Sequence, residues 1–270
     1  MRIAVSGASG KLGAVVVTHL ADAGHDILAL DRVGQRREGF LVVDFTDYGQ
    51  VVDALADVDA VVHLAAIPAP GIAPEVETFH NNMLSTFNVF QAARRLGIGT
   101  VVYASSETLL GLPLDIPPAY VPLDEEFDSR PESMYAVVKH LEEELAQKLV
   151  RWDAILSITA LRFSNVMVPT DYPGFADFTG ESRKWNLWGY IDARDAAQAI
   201  LLSLRRAQPG FDRFIIAAAD TVLDRPNAEL LDEFFPGVER RGEIGEHTTL
   251  LSIDKARREL GYEPQFSWRG

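Results

Sequence analysis

The chain has 270 residues, 47% of them apolar, a formal charge of −14 and no cysteine. That apolar content suffices for a full core, the missing thiols exclude disulfides and thiolate chemistry, and the acidic balance argues against nucleic acid, whose phosphates demand a cationic face. No apolar run approaches the roughly 18 residues that span a bilayer, and Gly7, Ser9, Gly10 and Lys11 interrupt any leader-like stretch near the start, so an unprocessed cytoplasmic protein with no membrane partner is expected.

Apolar runs alternate with helical stretches from the first residue, the pattern of a parallel sheet covered on both faces. The spacing predicts strands over 2–6, 27–30, 40–43, 59–64, 100–105 and 157–162, and helices over 11–23, 75–97, 132–152 and 192–207. Five prolines and several acids make 111–131 a surface loop. The stretch 169–189, with its glycines, prolines, Trp185 and Trp188, is irregular and of a length that is often functional. From about residue 219, short apolar pieces mixed with charges predict a capping lobe. The expected fold class is α/β, a Rossmann-type doubly wound parallel sheet with a small C-terminal substrate lobe. Residues 1–165 form the dinucleotide-binding core, and residues 166–270 a mixed lobe whose elements return to it in one compact unit.

The segment Gly7-Ala8-Ser9-Gly10-Lys11-Leu12-Gly13 directly follows the strand Ile3-Ala4-Val5. A strand that turns straight into a helix leaves the first helical N–H groups free for an anion. Gly7 suits the tight turn, Gly10 the approach of a pyrophosphate, and Gly13 close packing of helix on strand. Asp31 ends the second strand, about 20 residues beyond, where a carboxylate accepts from the adenosine ribose hydroxyls. Its charge would repel a 2′-phosphate, favouring NAD over NADP, whereas Arg32 either turns toward such a phosphate or is solvated. Asp44, with Phe45 beside it, either holds the adenine amino group or initiates a turn. Leu64-Ala65-Ala66 leaves room for a ligand, and His63 before them reads as packed. Asn82 is a poor helix former inside a long helix.

Tyr135 and Lys139, four apart in a helical segment, emerge on one face. A phenol has a pKa near 10, and a base at neutral pH needs a cation beside it. Lys139 provides one; alternatively the pair is a surface tyrosine packed on a lysine stem. A substrate-orienting hydroxyl is expected at a strand end, where Ser105-Ser106 closes Val101-Val102-Tyr103-Ala104. Arg183, Lys184, Trp185, Asn186 and Trp188 have the composition of a sugar or sugar-acid site, or of a lid packed by its own tryptophans. No metal-ligand pattern is present.

In this order the chain resembles the extended short-chain dehydrogenase/reductase family, which includes nucleotide-sugar epimerases, dehydratases and uronate dehydrogenases. The resemblance covers nearly the whole length: the glycine motif, Asp31, Asp44, Leu64-Ala65-Ala66, Asn82, Ser105-Ser106, Tyr135 with Lys139, Arg162 with Asn165, Tyr190-Ile191-Asp192 before Asp195, and Lys255-Ala256-Arg257 with Leu260-Gly261-Tyr262. It implies that Tyr135 is the catalytic acid/base and that Lys139 lowers its pKa and holds the nicotinamide ribose. It further implies that Ser106, rather than Ser105, orients the substrate, and that Asn82 orders the active-site helix. Asn165 is by the same resemblance a substrate contact, or else a loop cap; Asp195 reads as a helix cap. A homodimer through the two long helices is implied too, although Phe87, Phe90, Leu141 and Leu145 could belong to the core instead.

Two departures bear on the reaction. The run Asn165-Val166-Met167-Val168-Pro169 replaces the family's frequent Asn-Val-Tyr-Gly-Pro, and the short lobe weakens an epimerase reading. Glu107 stands where dehydratases place an acid, but Thr108 supplies no second one, which disfavours dehydration. The expected activity is NAD-dependent oxidation or reduction at a hydroxyl carbon of a sugar or sugar acid. The alternatives are a nucleotide-sugar epimerase that keeps its cofactor and a dinucleotide-sensing protein without chemistry.

Overall fold

The computed structural model describes residues 1–270. In chain order the elements are β1 (Arg2–Ser6), α1 (Lys11–Asp22), β2 (Asp26–Asp31), β3 (Phe40–Val42), α2 (Tyr48–Ala54), β4 (Ala60–His63), α3 (Glu75–Leu96), β5 (Thr100–Ser106), β6 (Tyr120–Val121), α4 (Met134–Trp152), β7 (Ser157–Phe163), β8 (Val166–Met167), α5 (Gly180–Arg183), β9 (Ile191–Asp192), α6 (Ala193–Arg206), β10 (Gly210–Ile216), α7 (Asn227–Phe234), β11 (Glu239–Arg240) and α8 (Asp254–Leu260). Seven strands form one sheet in the order β10-β7-β5-β4-β1-β2-β3, and every pairing is parallel.

Because side chains alternate along a strand, each strand feeds two cores. Ile3 and Val5 of β1 pack under α1 and α6, whereas Ala4 joins Leu28, Phe90 and Tyr103 under α2, α3 and α4. Covered on both faces, β7 buries all seven residues. After β1 the chain adds strands on one side, then returns to lay β4 on the other. The strand order therefore reverses between β1 and β4, and the carboxyl edge there is where such sheets hold ligands.

All six strands and four helices read from periodicity are present, with ends moved by a residue or two. A seventh strand, β10, went unread: Asp212 and Arg213 interrupt its apolar run, and an edge strand tolerates them. The stretch 111–131 is not simply a surface loop. Leu112, Leu114, Val121 and Leu123 are buried, and β6 pairs with β11. Its prolines interrupt regular structure without preventing burial, because the backbone finds partners elsewhere: Leu123 N–H donates to the Leu250 carbonyl (2.9 Å) and Leu114 N–H to that of Trp185 (3.1 Å). Asp195 is not the cap of α6. Asp192 accepts from the Arg194 N–H (2.8 Å) and does that work, while buried Asp195 accepts from the amides of Gln265 and Phe266 and ties down the C-terminal segment.

Candidate active site

The turn after β1 is built to admit a backbone-hugging anion. Gly7 has φ +68°, and a Cβ there would lie 2.8 Å from Ala65 N; a Cβ on Gly13 would lie 2.1 Å from the Gly7 carbonyl oxygen. These positions demand glycine. Helix α1 has neither a side-chain cap nor an acid in its first turn, so the Lys11, Leu12 and Gly13 amides face the cleft without protein partners. An uncapped helix start beside a cradle that any side chain would fill fits a dinucleotide pyrophosphate. Asp31, 22 residues from Ser9, accepts from the Ser9 amide (2.8 Å) and the Val33 amide (3.2 Å) at the edge of the same cleft. Asp44 initiates a turn, its Oδ1 accepting from the Thr46 amide and hydroxyl (2.9 and 2.7 Å), and also lines the cleft.

The cleft has a volume of about 960 Å³ and runs from this turn to α4. Of the sequence-derived cofactor residues, Gly7, Ser9, Gly10, Lys11, Leu12, Gly13, Asp31, Arg32, Asp44, Phe45, Leu64, Ala65, Ala66, Tyr135 and Lys139 all line it. Asn82 does not. Fully buried in α3, it accepts from the Ile67 amide (2.7 Å) and donates to the Ile67 carbonyl (2.9 Å), bracing the wall from behind. The Lys11 ammonium lies 2.8 Å from Asp171 and donates to the Val166 carbonyl (3.4 Å).

At the other end, Tyr135 and Lys139 share a face of α4, started by Ser133, whose hydroxyl accepts from the Ala136 amide. The Lys139 ammonium lies 5.9 Å from the Tyr135 ring centre. It donates to the Ala104 carbonyl (2.8 Å) and to Glu142 (2.9 Å), which leaves one N–H. Burial pushes the Tyr135 phenol above its ordinary pKa. Lys139 pulls it down, Glu142 pushes it up, and a hydrogen bond with Ser106 pulls it down again. Glu142, three residues beyond the lysine, is a site residue the sequence reading missed. Its signal was a carboxylate in the stripe that α4 buries.

Ser106 and Ser105 divide sharply. The Ser106 oxygen accepts from the Thr108 amide (3.2 Å) and hydroxyl (3.0 Å), which leaves its proton for the Tyr135 phenol or a substrate oxygen. Ser105 donates to Glu143 (2.7 Å), which also binds Arg162 through two contacts of 3.0 and 2.8 Å, so its proton is committed. Glu107 is held by the Ser164 hydroxyl (2.6 Å) and the Asn186 amide group (3.1 Å), and burial lifts it to about 7. Glu107, Asn165 and Trp185 line the cleft.

Arg183 and Trp188 do not line the cleft. The Arg183 guanidinium is buried between the rings of Phe178 (4.9 Å) and Trp185 (5.1 Å) and donates to the Gly189 carbonyl. Trp188 is fully buried, donates to the Gly180 carbonyl (2.8 Å), and packs on Phe234 and Phe235. Composition marked this loop as polar and aromatic, but burial of a large ring outweighs exposing it. Beyond Val166, only Trp185 reaches the cleft wall.

Residues 3–217 match the NAD dependent epimerase/dehydratase family. The chain is 26% identical over 306 residues to a UDP-glucose 4-epimerase of Corynebacterium glutamicum, covering 98% of this chain and 91% of that enzyme. It is 37% identical over 107 residues to an L-arabinose 1-dehydrogenase (NAD(P)(+)) of Haloferax volcanii, covering 39% and 41%. Other curated UDP-glucose 4-epimerases are matched over 52% of their length, about half. The fold superimposes on a crystal structure of a UDP-galactose 4-epimerase with a TM-score of 0.72 at 26% identity, covering 99% of this chain and 94% of that one.

Proposed function

The chain belongs to the NAD dependent epimerase/dehydratase family, and from that premise we propose that it oxidises or reduces a hydroxyl-bearing carbon of a sugar-like small molecule, exchanging NAD for NADH with solution at each turnover. The observation that carries this reading is the convergence of Tyr135, Ser106 and the glycine turn on one cleft. Bound NAD supplies the hydride acceptor for oxidation. Gly7 to Gly13 hold its pyrophosphate and Asp31 its adenosine ribose.

Ser106, its oxygen already occupied by Thr108, donates a hydrogen bond to the substrate oxygen and so holds that oxygen at the phenol. Tyr135 takes the hydroxyl proton as the neighbouring carbon loses hydride. Lys139 keeps positive charge beside the phenol and offers its remaining N–H to a ribose hydroxyl. Replacing Tyr135 by phenylalanine is expected to lower turnover about 10² to 10⁴-fold while NAD affinity holds. Unchanged turnover would remove Tyr135 from the chemistry.

Net turnover is supported by likeness to the arabinose dehydrogenase and by the small share of the cleft that residues 166–270 supply. An epimerase is the second reading, supported by the end-to-end likeness to UDP-glucose 4-epimerase. Net nicotinamide reduction separates the two: a dehydrogenase accumulates NADH, whereas an epimerase inverts its substrate and accumulates none. The proposal includes a homodimer through α3 and α4. Val76, Phe79, Phe87 and Leu141 stand exposed along these helices, while Phe90 is buried. Light scattering tests it, and a monomer refutes it. A cytoplasmic location is proposed on the absence of cysteine.

A further inference from the structure

Resting on the oxidoreductase reading above, we infer that the substrate is a neutral, unphosphorylated sugar or polyol, and that Glu107 is the specificity-determining residue that turns away sugar acids, sugar phosphates and nucleotide sugars. The inference comes from the charges at the two ends of the cleft.

Three cations line the cleft. Arg32 stands beside Asp31, at the adenosine end. Lys11 is paired with Asp171 at 2.8 Å. Lys139 is 3% exposed and committed to Glu142 and the Ala104 carbonyl. Arg32 has no carboxylate partner but stands at the opposite end of the cleft from Tyr135, and Lys11 and Lys139 already hold carboxylates. Arg183 lies behind the wall, 6% exposed, between two aromatic rings, and Lys184 is turned to Glu181 at 2.7 Å.

A substrate carboxylate or diphosphate entering a dry site needs such a partner, because an unpaired charge loses its hydration without compensation. Glu107 adds a carboxylate at that end of the cleft, close enough to the phenol to bear on its charge. What the wall offers instead suits hydroxyl groups. Ser106 presents its hydroxyl beside the phenol, Thr108 and Asn165 line the same surface, and the Trp185 ring suits the C–H face of a pyranose or furanose. The lobe points the same way. Residues 219–270 carry eleven acids against seven lysines and arginines, and each cation is already paired: Arg225 with Glu233, Arg240 with Asp232, Arg241 with Glu239, Lys255 with Asp212, Arg257 with Glu263, Arg258 with Glu259 and Arg269 with Asp220. Such a lobe has no free cation for a diphosphate.

The test follows nicotinamide absorbance at about pH 8.5, where Glu107, lifted to about 7, is ionised, with the purified chain, NAD and four substrate arms: neutral aldoses and polyols, the matching uronates, the matching sugar phosphates, and UDP-sugars with product analysis for epimerisation. The neutral arm is expected to exceed each charged arm by about 100-fold in kcat/KM, the scale of one like-charge contact in a partly buried site. Glu107→Gln, which removes the charge and keeps the shape, is expected to narrow the neutral-to-uronate ratio about tenfold or more. A collapsed fold would lower both arms together and leave the ratio alone, so the ratio reports specificity. Net NADH favouring the uronate or sugar-phosphate arm, or an unmoved ratio in Glu107→Gln, overturns the inference and leaves the oxidoreductase reading standing, whereas inversion of a UDP-sugar without net NADH overturns both. Silence in all four arms overturns both.

Discussion

Replacing Glu142 by glutamine is expected to shift the pH dependence of catalysis toward acid. The carboxylate is fully buried and 2.9 Å from the Lys139 ammonium, which lies 5.9 Å from the Tyr135 ring centre. Those two steps laid end to end put Glu142 no more than about 9 Å from the phenol ring. At an effective dielectric constant of about 20, a unit charge at that distance is worth about 2 kcal/mol, or roughly one to two pH units. Burial already holds the phenol above its ordinary value, with Lys139 pulling down and Glu142 pushing up. Removing the upward push leaves burial and the ammonium, so the phenolate forms at lower pH. Of the other nearby charges, Glu143 is bound to Arg162, burial forces His63 down to about 3, so it stays neutral, and Glu107 also pushes the phenol up but is the same in parent and variant. Thr86 can still donate to the glutamine carbonyl, and the Ala104 carbonyl still holds Lys139. The assay is kcat/KM for NAD-dependent oxidation from about pH 6 to 10. The rising limb should move acid by about the amount given, and a limb that stays put or moves alkaline refutes the electrostatic argument.

Asp31→Asn removes the negative charge beside exposed Arg32 while keeping an acceptor for the Ser9 amide. The preference for NAD over NADP in kcat/KM should fall about tenfold or more. Glu107 titrates near 7 in the folded chain against 4.5 for an ordinary glutamate. The folded state therefore binds more proton between those values, and stability falls as pH rises through that window. Glu107→Gln should then unfold later than the parent at pH 8, by up to about 3 kcal/mol in denaturant titrations, with the gap closing below about pH 5. Trp188→Ala should cost about 3–5 kcal/mol and leave the Gly180 carbonyl without its donor, yet leave NAD affinity unchanged, because Trp188 is not in the cleft wall.

The glycine turn that lines the cleft was legible in the sequence because backbone geometry makes it. Only glycine fits at residues 7 and 13, so the requirement is written as residue identity at fixed spacing. Tyr135 and Lys139 were legible for a similar reason, since helical periodicity fixes their relative placement. Glu142 and the fates of Arg183 and Trp188 were not. Whether a charged or aromatic side chain faces a ligand or a core depends on what packs against it, and that is decided by contacts far away in sequence. Trp188 is buried by Phe234 and Phe235, and Glu142 meets Thr86, 56 residues earlier. Residues 111–131 were misread for the same cause, since proline marks the end of regular structure and carries no information about burial.

One buried chain of polar contacts joins the two halves of the cleft. The Ser6 hydroxyl accepts from the Leu64 and Ala65 amides (3.0 and 3.1 Å) and meets His63 Nδ1 at 2.7 Å. His63 Nε2 meets the Thr86 hydroxyl at 3.2 Å, Thr86 donates to Glu142 at 2.8 Å, and Glu142 binds Lys139. The chain thus runs from the strand end that carries the glycine turn to the ammonium beside the phenol. With His63 held neutral, its links are fixed hydrogen bonds at physiological pH, and no imidazolium is available to carry charge along it. Its effect is positional. A shift of Ser6 at the reversal of strand order is passed through three side chains to Lys139, so the glycine turn and the Tyr135–Lys139 face of α4 are held in one register. Thr86→Val, which keeps the shape and breaks the middle link, is accordingly expected to raise KM for NAD and lower kcat together, although residue 86 touches neither end. A loss confined to thermal stability, with both kinetic constants unchanged, would reduce the chain to ordinary core polar satisfaction.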